Sequence, residues 1–332
     1  MTAAPHPSED ALIARYFAPL AGPGGLRLAD DAAVLSPRPG EDIVLTKDAL
    51  VAGVHFFADD LPGAIAQKAL RVNLSDLAAK AAAPLGFLLG LALPPDWTEE
   101  WLAAFAQGLG EDAARFSCPL LGGDTVRTPG PLTLSITALG CVPQGRMLRR
   151  QAAQTGDRIY VSGTIGDAAL GLRLRLREPE DASWIDALGA IDRAHLASRY
   201  LLPQPRLALR AALQDNASAA MDVSDGLVGD CRKLLGQHGA CVELARMPLS
   251  PAARAAIALA PELFDIAVTG GDDYEILCAV PPAKSQAFEA AARATDTQVT
   301  HIGEVATPGQ APVFLGRDGA PRHFGTGSFS HY

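Results

Sequence analysis

Five acidic clusters stand where apolar runs meet turns: Asp30 and Asp31 in LADDAAVL, Asp48 in VLTKDALVAGVHF, Asp76 in RVNLSDLAAK, Asp124 in LLGGDT, and Asp222 with Asp225 in MDVSDGL. A carboxylate on a short stem is a hard oxygen ligand, and Mg2+ takes one or two of them together with water and substrate phosphates. Several such aspartates brought together would hold more than one ion. Taken singly, each has an ordinary alternative, because aspartates also cap helices and shape turns. Ser224 and Asp225 sit at a helix start, and Lys80 lies four residues after Asp76, the spacing of a helix-surface ion pair. Yet at about 100° per residue Asn73, Asp76 and Lys80 share one strip beside the Leu70, Leu74 and Leu77 stripe, which suits the edge of a site. Gly122 and Gly123 before Asp124, and Gly270 and Gly271 before Asp272, let backbone N–H groups approach an anion. There is no G-x-x-x-x-G-K-[ST] loop and no protein-kinase motif set, so phosphoryl transfer here would need another architecture.

Such side chains must be delivered by strands that end in turns. Residues 8–21 place Leu12, Ile13, Tyr16, Phe17 and Leu20 at helical spacing, with Glu9 and Asp10 in the first turn, where the helix dipole favours them. Residues 32–35 and 42–46 read as short strands. Residues 63–82 read as an alanine-rich helix started by Pro62 and stopped by Pro84. A second helix begins near Asp96, with Glu99 completing a D-x-x-E capping box and Trp101, Leu102, Phe105 and Leu109 forming an apolar face. LLGGDT is a strand end with its turn, and the alternating run PLTLSITALGCV completes a first sheet. The pattern breaks in the polar stretch 149–157, which predicts two domains, 1–150 and 151–332. The second opens with a strand, a glycine turn and a helix in IYVSGTIGDAALGL. AAMDVSDGLVGDCRKLLGQHG carries carboxylates from a strand to a helix start, with Gly239 placed as the C-cap, and IAVTGGDDYEILCAV reads as strand, acidic turn, strand.

With 332 residues, 48% of them apolar, the chain can bury cores for two domains of ordinary size. A net charge of -9 argues against nonspecific nucleic-acid binding, and a polyphosphate bound by so acidic a chain needs cations between ligand and carboxylates. The most apolar run, 86–93, is far shorter than the roughly 18 residues of a membrane span, and Glu9 and Asp10 interrupt any signal-peptide pattern. A cytoplasmic protein without membrane contact is expected. Cys118, Cys141, Cys231, Cys241 and Cys278 are scattered and lack a C-x-x-C pair, so they are expected as small core residues rather than as a zinc site or disulfide framework.

Taken in order, DDAAVL, T-x-D-A-L-V-A-G-V-H-F, N-L-S-D-L-A-A, L-x-G-G-D-T, D-V-S-D-G-L and G-G-D-D-Y-E-I resemble the thiamine-monophosphate kinase family, within the superfamily of aminoimidazole ribonucleotide synthetase. The resemblance runs from about Leu12 to the C-terminus. It implies a two-domain α/β (α+β) fold, with an N-terminal sheet that pairs across a homodimer into a barrel and a C-terminal α/β domain closing a cleft for ATP and several Mg2+ ions. Carried over position by position, it implies metal positions at Asp31, Thr46, Lys47, Asp48, Asp76, Asp124, Asp222 and Asp225. ATP falls to Gly123, Asp124, Arg150 and Ser224, and thiamine phosphate to His55, Asp272 and Phe329.

The sequence departs from the family pattern in three places. Leu28-Ala29 stand where the pattern has G-I-G before the aspartate pair, Lys47 where it has threonine, and Asp272 where it has glutamate. Both reactants are anionic, and phosphoryl transfer needs positioning and charge stabilisation more than covalent help. The resemblance therefore implies direct γ-phosphoryl transfer with no side chain as nucleophile. The alternatives are another ATP-dependent enzyme of the same superfamily or a non-catalytic nucleotide-binding relative. The first cysteine is Cys118 and the chain ends Ser330-His331-Tyr332, so neither the N-terminal cysteine of a selenophosphate synthetase nor the C-terminal one of a hydrogenase-maturation relative is present.

Overall fold

The computed structural model describes residues 8–316, 318–325 and 327–328. They form two compact units, one built from the chain up to Leu77 and from Ala83–Gly145, the other from Ala78–Ala82 and the chain from Arg146 onward.

In the first unit Ser8 caps the helical segment that buries Leu12, Tyr16 and Phe17, its hydroxyl accepting from the Ala11 N–H. Four strands follow: β1 (Glu41–Val51), β2 (Ala83–Leu93), β3 (Leu120–Arg127) and β4 (Thr133–Pro143). They lie in the order β1-β4-β2-β3, antiparallel except for the parallel β2 and β3, which are joined through the Glu99–Arg115 helix. The period of two is plain in β4, where Leu134, Ile136, Ala138 and Val142 are buried while Ser135, Thr137, Leu139 and Cys141 lie half-exposed on the other face. One face is thus packed and the other open. The Pro62–Ala79 helix buries Leu70, Leu74 and Leu77 fully. It is tied to the Glu99–Arg115 helix by a buried, two-pronged Arg71–Asp112 ion pair at 2.5 and 2.9 Å.

Several local expectations change. Ile266–Thr269, expected as a strand, is the end of the Leu263–Thr269 helix, and LLGGDT lies wholly within β3 rather than ending in a turn. Residues 32–35 belong to no strand: Ala32 lies in a bend, residues 32–34 are exposed, and Val34 N–H donates to the Gly24 carbonyl at 2.9 Å. The second helix starts at Glu99, with Thr98 rather than Asp96 as its cap, the Thr98 hydroxyl accepting from Trp101 N–H at 3.1 Å. Thr98→Ala should therefore cost about 1 kcal/mol in urea unfolding while Asp96→Ala changes little; equal effects would return the cap to Asp96. Gly239 lies inside a strand, and the cap it was assigned is held by Gly236.

The second unit is a sheet of seven strands: β5 (Arg158–Ser162), β6 (Ala219–Val223), β7 (His238–Glu243), β8 (Glu275–Val280), β9 (Val299–Pro308), β10 (Val313–Leu315) and β11 (Pro321–Arg322). Their order is β11-β10-β7-β9-β5-β8-β6, antiparallel except between β10 and β7. Both faces of the central strands are covered: Leu277 and Ala279 of β8 join one core, and Ile276, Cys278 and Val280 join another. That explains why these strands are apolar throughout instead of alternating. The second core also takes Ala78, Ala79 and Ala81 from the end of the Pro62–Ala79 helix and the turn after it. Cys118, Cys231 and Cys278 are buried as expected, but Cys241 is exposed and Cys141 only half-buried.

Candidate functional site

In the first unit β1 splits the acidic positions by alternation. Thr46 and Asp48 face the Pro62–Ala79 helix: the Thr46 hydroxyl donates to Asp76, and the Asp48 backbone N–H donates to Asn73 Oδ1 at 3.2 Å. Asn73 and Asp76 thus share the helix face that meets β1, whereas Lys80, expected on the same strip, lies past the helix end and donates to the Ala220 carbonyl at 2.9 Å. Lys47 points the opposite way, into a cleft of about 920 Å3 that is also lined by Asp30, Asp31, Gly123 and Asp124. Asp30 Oδ1 accepts the Asp31 N–H at 2.8 Å and so shapes that turn. Gly123 is required sterically, since a Cβ there would stand 1.9 Å from the Leu89 carbonyl oxygen across the β2–β3 ladder.

His55 closes the turn after β1. Val51 N–H donates to its Nδ1 at 3.0 Å, so the neutral ring carries its proton on Nε2 as a donor. The buried Lys68 ammonium holds the His55 carbonyl at 2.9 Å.

In the second unit two acidic turns are stitched backbone to backbone. Asp272 N–H donates to the Ser224 carbonyl at 2.9 Å and Tyr274 N–H to the Val223 carbonyl at 2.8 Å, which sets Asp222, Ser224 and Asp225 beside Asp272. The approach is close enough that a Cβ on Gly226, at φ +119°, would lie 2.2 Å from the Thr269 carbonyl oxygen. Asp272 itself has φ 72°, a left-handed conformation that aspartate tolerates better than most side chains.

Its neighbour Asp273 is buried and accepts from the N–H groups of Gly166 and Ala168 at 2.7 and 3.3 Å, capping the Asp167–Leu176 helix. Burial pushes its carboxyl well above the usual carboxylate range. Of the adjacent pair, Asp273 is therefore committed to structure and Asp272 is the half-buried one. Arg150 is exposed but framed, because the Arg149 carbonyl accepts from Ala220 N–H and Gln151 N–H donates to the Leu234 carbonyl.

The structure adds residues that sequence reasoning passed over. Glu275, fully buried at the start of β8, accepts from Ser162 Oγ at 2.7 Å, Arg199 at 2.9 Å and Arg206 Nε at 2.6 Å. A carboxylate heading an otherwise apolar strand was the available signal. Lys233 bridges Asp225 and Asp230 at 2.5 and 2.8 Å. Phe329 lies outside the described residues.

The site positions thus form two groups. Asp31, Thr46, Lys47, Asp48, His55, Asp76, Gly123 and Asp124 are in the first unit, and Arg150, Asp222, Ser224, Asp225 and Asp272 in the second. Among the described residues no three His, Cys, Asp or Glu side chains converge as a cage. The donors are carboxylates and a hydroxyl, the hard-oxygen set that suits Mg2+, an ion that draws much of its shell from water and phosphate.

Residues 29–142 match the family described as AIR synthase related protein, N-terminal domain, and residues 154–314 its C-terminal domain. The chain is 47% identical to the thiamine-monophosphate kinase of Caulobacter vibrioides over 97% of its own length and 91% of that protein. The crystal structure of the thiamine-monophosphate kinase from Stenotrophomonas maltophilia superposes with a TM-score of 0.79 at 40% identity, covering 89% of this chain and 91% of that one. A structure of AaThiL complexed with AMPPCP and TMP gives 0.77 at 27% identity, covering 98% and 94%. With both units matched over nearly their whole length, the chain belongs to the thiamine-monophosphate kinase family, within the AIR synthase related proteins.

Proposed function

We propose that this protein phosphorylates thiamine phosphate to thiamine diphosphate with ATP. The observation that carries this reading is the 47% identity to a thiamine-monophosphate kinase, spanning both units. Asp31, Thr46, Asp48, Asp76, Asp124, Asp222 and Asp225 would hold several Mg2+ ions, which when bound offset the repulsion between two anionic reactants. An ammonium has no lone pair, so the Lys47 side chain contributes positive charge instead of ligation.

The rest is done by the chain itself. Gly123, Asp124, Arg150 and Ser224 are the positions proposed for ATP, with Arg150 supplying paired donors to its phosphates. His55 would contact the acceptor phosphate. Asp272 would face the cationic thiazolium ring, with Phe329 and His55 the other positions proposed for thiamine phosphate. Transfer is direct and in line, so no side chain is phosphorylated.

Formation of thiamine diphosphate from γ-labelled ATP, dependent on thiamine phosphate, tests the function; ATP turnover indifferent to the acceptor would overturn it. Asp272→Ala should raise KM for thiamine phosphate roughly tenfold, the scale of one lost buried contact, with KM for ATP little changed. Equal effects on both substrates would move the acceptor pocket elsewhere.

A homodimer through the four-stranded sheet also belongs to this reading. It is supported by the exposed Leu45, Leu88 and Val126 on that sheet and by its two open edges, β1 and β3. Light scattering at micromolar concentration should give about twice 34.6 kDa, and a strict monomer would remove the barrel.

A further inference from the structure

At the Asp225 turn the structure already contains a cation. Lys233 lies two turns into the Leu227–Leu235 helix and reaches back to the residues before its start. Its Nζ sits 2.5 Å from Asp225 Oδ2 and 2.8 Å from Asp230 Oδ1, and the other Asp230 oxygen accepts the Asp225 N–H at 2.9 Å. The three side chains differ in freedom: Asp230 is fully buried, whereas Asp225 and Lys233 are 40% and 37% exposed. Asp230 is thus an anchor that holds both the Asp225 backbone and the ammonium, while the Asp225–Lys233 contact can open without exposing a core.

We propose that Lys233 is a positioning residue that occupies the cation's place at Asp225 and yields it to a divalent ion. With no ion bound, the ammonium holds the Asp225 side chain in place, in a turn that follows Asp222 at the end of β6 and is stitched to Asp272. When an ion takes the Asp225 oxygen, the ammonium stays on Asp230, a few ångströms from the same turn, as a fixed positive charge. Ion binding at this turn is then an exchange of one cation for another, and the protein's own lysine sets the concentration at which it happens. The inference rests on the kinase reading only for the identity of the ion's partner; the exchange is a property of the turn.

The test uses the full-length protein without ATP or thiamine phosphate, so that it stands apart from any failure of the kinase assay. Mn2+ binding is followed by the electron paramagnetic resonance of free Mn2+, for wild type, Lys233→Met and Lys233→Arg. Lys233→Met should bind its tightest Mn2+ about tenfold more tightly, the scale of one charged contact removed from competition, and Lys233→Arg should stay near wild type. Adding Asp225→Asn to Lys233→Met should abolish the gain. Lys233→Gln, which keeps a donor for the buried Asp230, serves if the methionine variant does not fold, with the same direction expected. Unchanged or weaker Mn2+ binding in the uncharged variants would overturn the proposal, since a merely structural lysine loosens the turn when removed and cannot tighten ion binding.

Discussion

Asp48→Asn and Asp124→Asn should each leave a folded protein that has lost at least about a hundredfold in kcat. Both substitutions preserve shape and remove charge. Asp48 is half-buried, with its backbone N–H on Asn73, and that bond survives a side-chain change; Asp124 is exposed at the cleft wall. Because both substitutions keep the shape of the side chain, stability should stay within about 1 kcal/mol of wild type. Relief of repulsion among neighbouring carboxylates acts in the same direction. Urea unfolding together with steady-state kinetics separates the two roles. A variant that unfolds readily but keeps its activity per folded molecule would make the aspartate a structural cap.

Glu275→Ala should act the other way, on folding first. The carboxylate is fully buried between Arg199 and Arg206, whose side chains are only 11% and 24% exposed. Removing it leaves two guanidiniums facing each other with no counter-charge, the situation in which breaking a buried pair costs about 3–5 kcal/mol. Arg199 also reaches the Asp273 carbonyl at 3.4 Å, so the loss reaches the turn that presents Asp272. Surviving protein should therefore show a raised KM for thiamine phosphate in addition to its lowered unfolding midpoint. Glu275→Gln should be milder, because it retains an acceptor for Ser162. If Glu275→Ala unfolds at the wild-type midpoint, the cluster is not what fixes the turn.

The acidic clusters were legible in the sequence because they interrupt apolar runs, although Asp48 and Asp124 lie inside β1 and β3 rather than in turns, and the Asn73–Asp76 strip because helical spacing alone puts both on one face. What escaped depended on partners far along the chain or on register. Arg199 and Arg206 lie 76 and 69 residues before Glu275, and nothing local marks the three as one cluster. Lys47 follows Thr46 directly in sequence yet serves the opposite face of the sheet, a separation that exists only once β1 is paired. Asp273 adjoins Asp272 in sequence, yet it caps a helix more than a hundred residues earlier, a role no local pattern announces. At 32–35 an apolar run suggested a strand, but the run joins neither sheet. Asp96 lost the cap to Thr98 because the helix begins one residue after the threonine, leaving the aspartate in the turn before it.

The short segment Ala78–Ala82 bears on how this chain can be taken apart. It is encoded within the first unit, yet Ala78, Ala79 and Ala81 fill the core of the second and Lys80 donates to the Ala220 carbonyl there. A gene fragment beginning at Arg146 would lack those five residues and carry an apolar hollow where they belong. During synthesis the same residues emerge long before the strands that receive them, so the second unit closes only when its last parts arrive. A ribosome-attached chain stopped just past Gly145 should thus expose an alanine-rich tail to the helix, a temporary sticky surface in the path of chaperones.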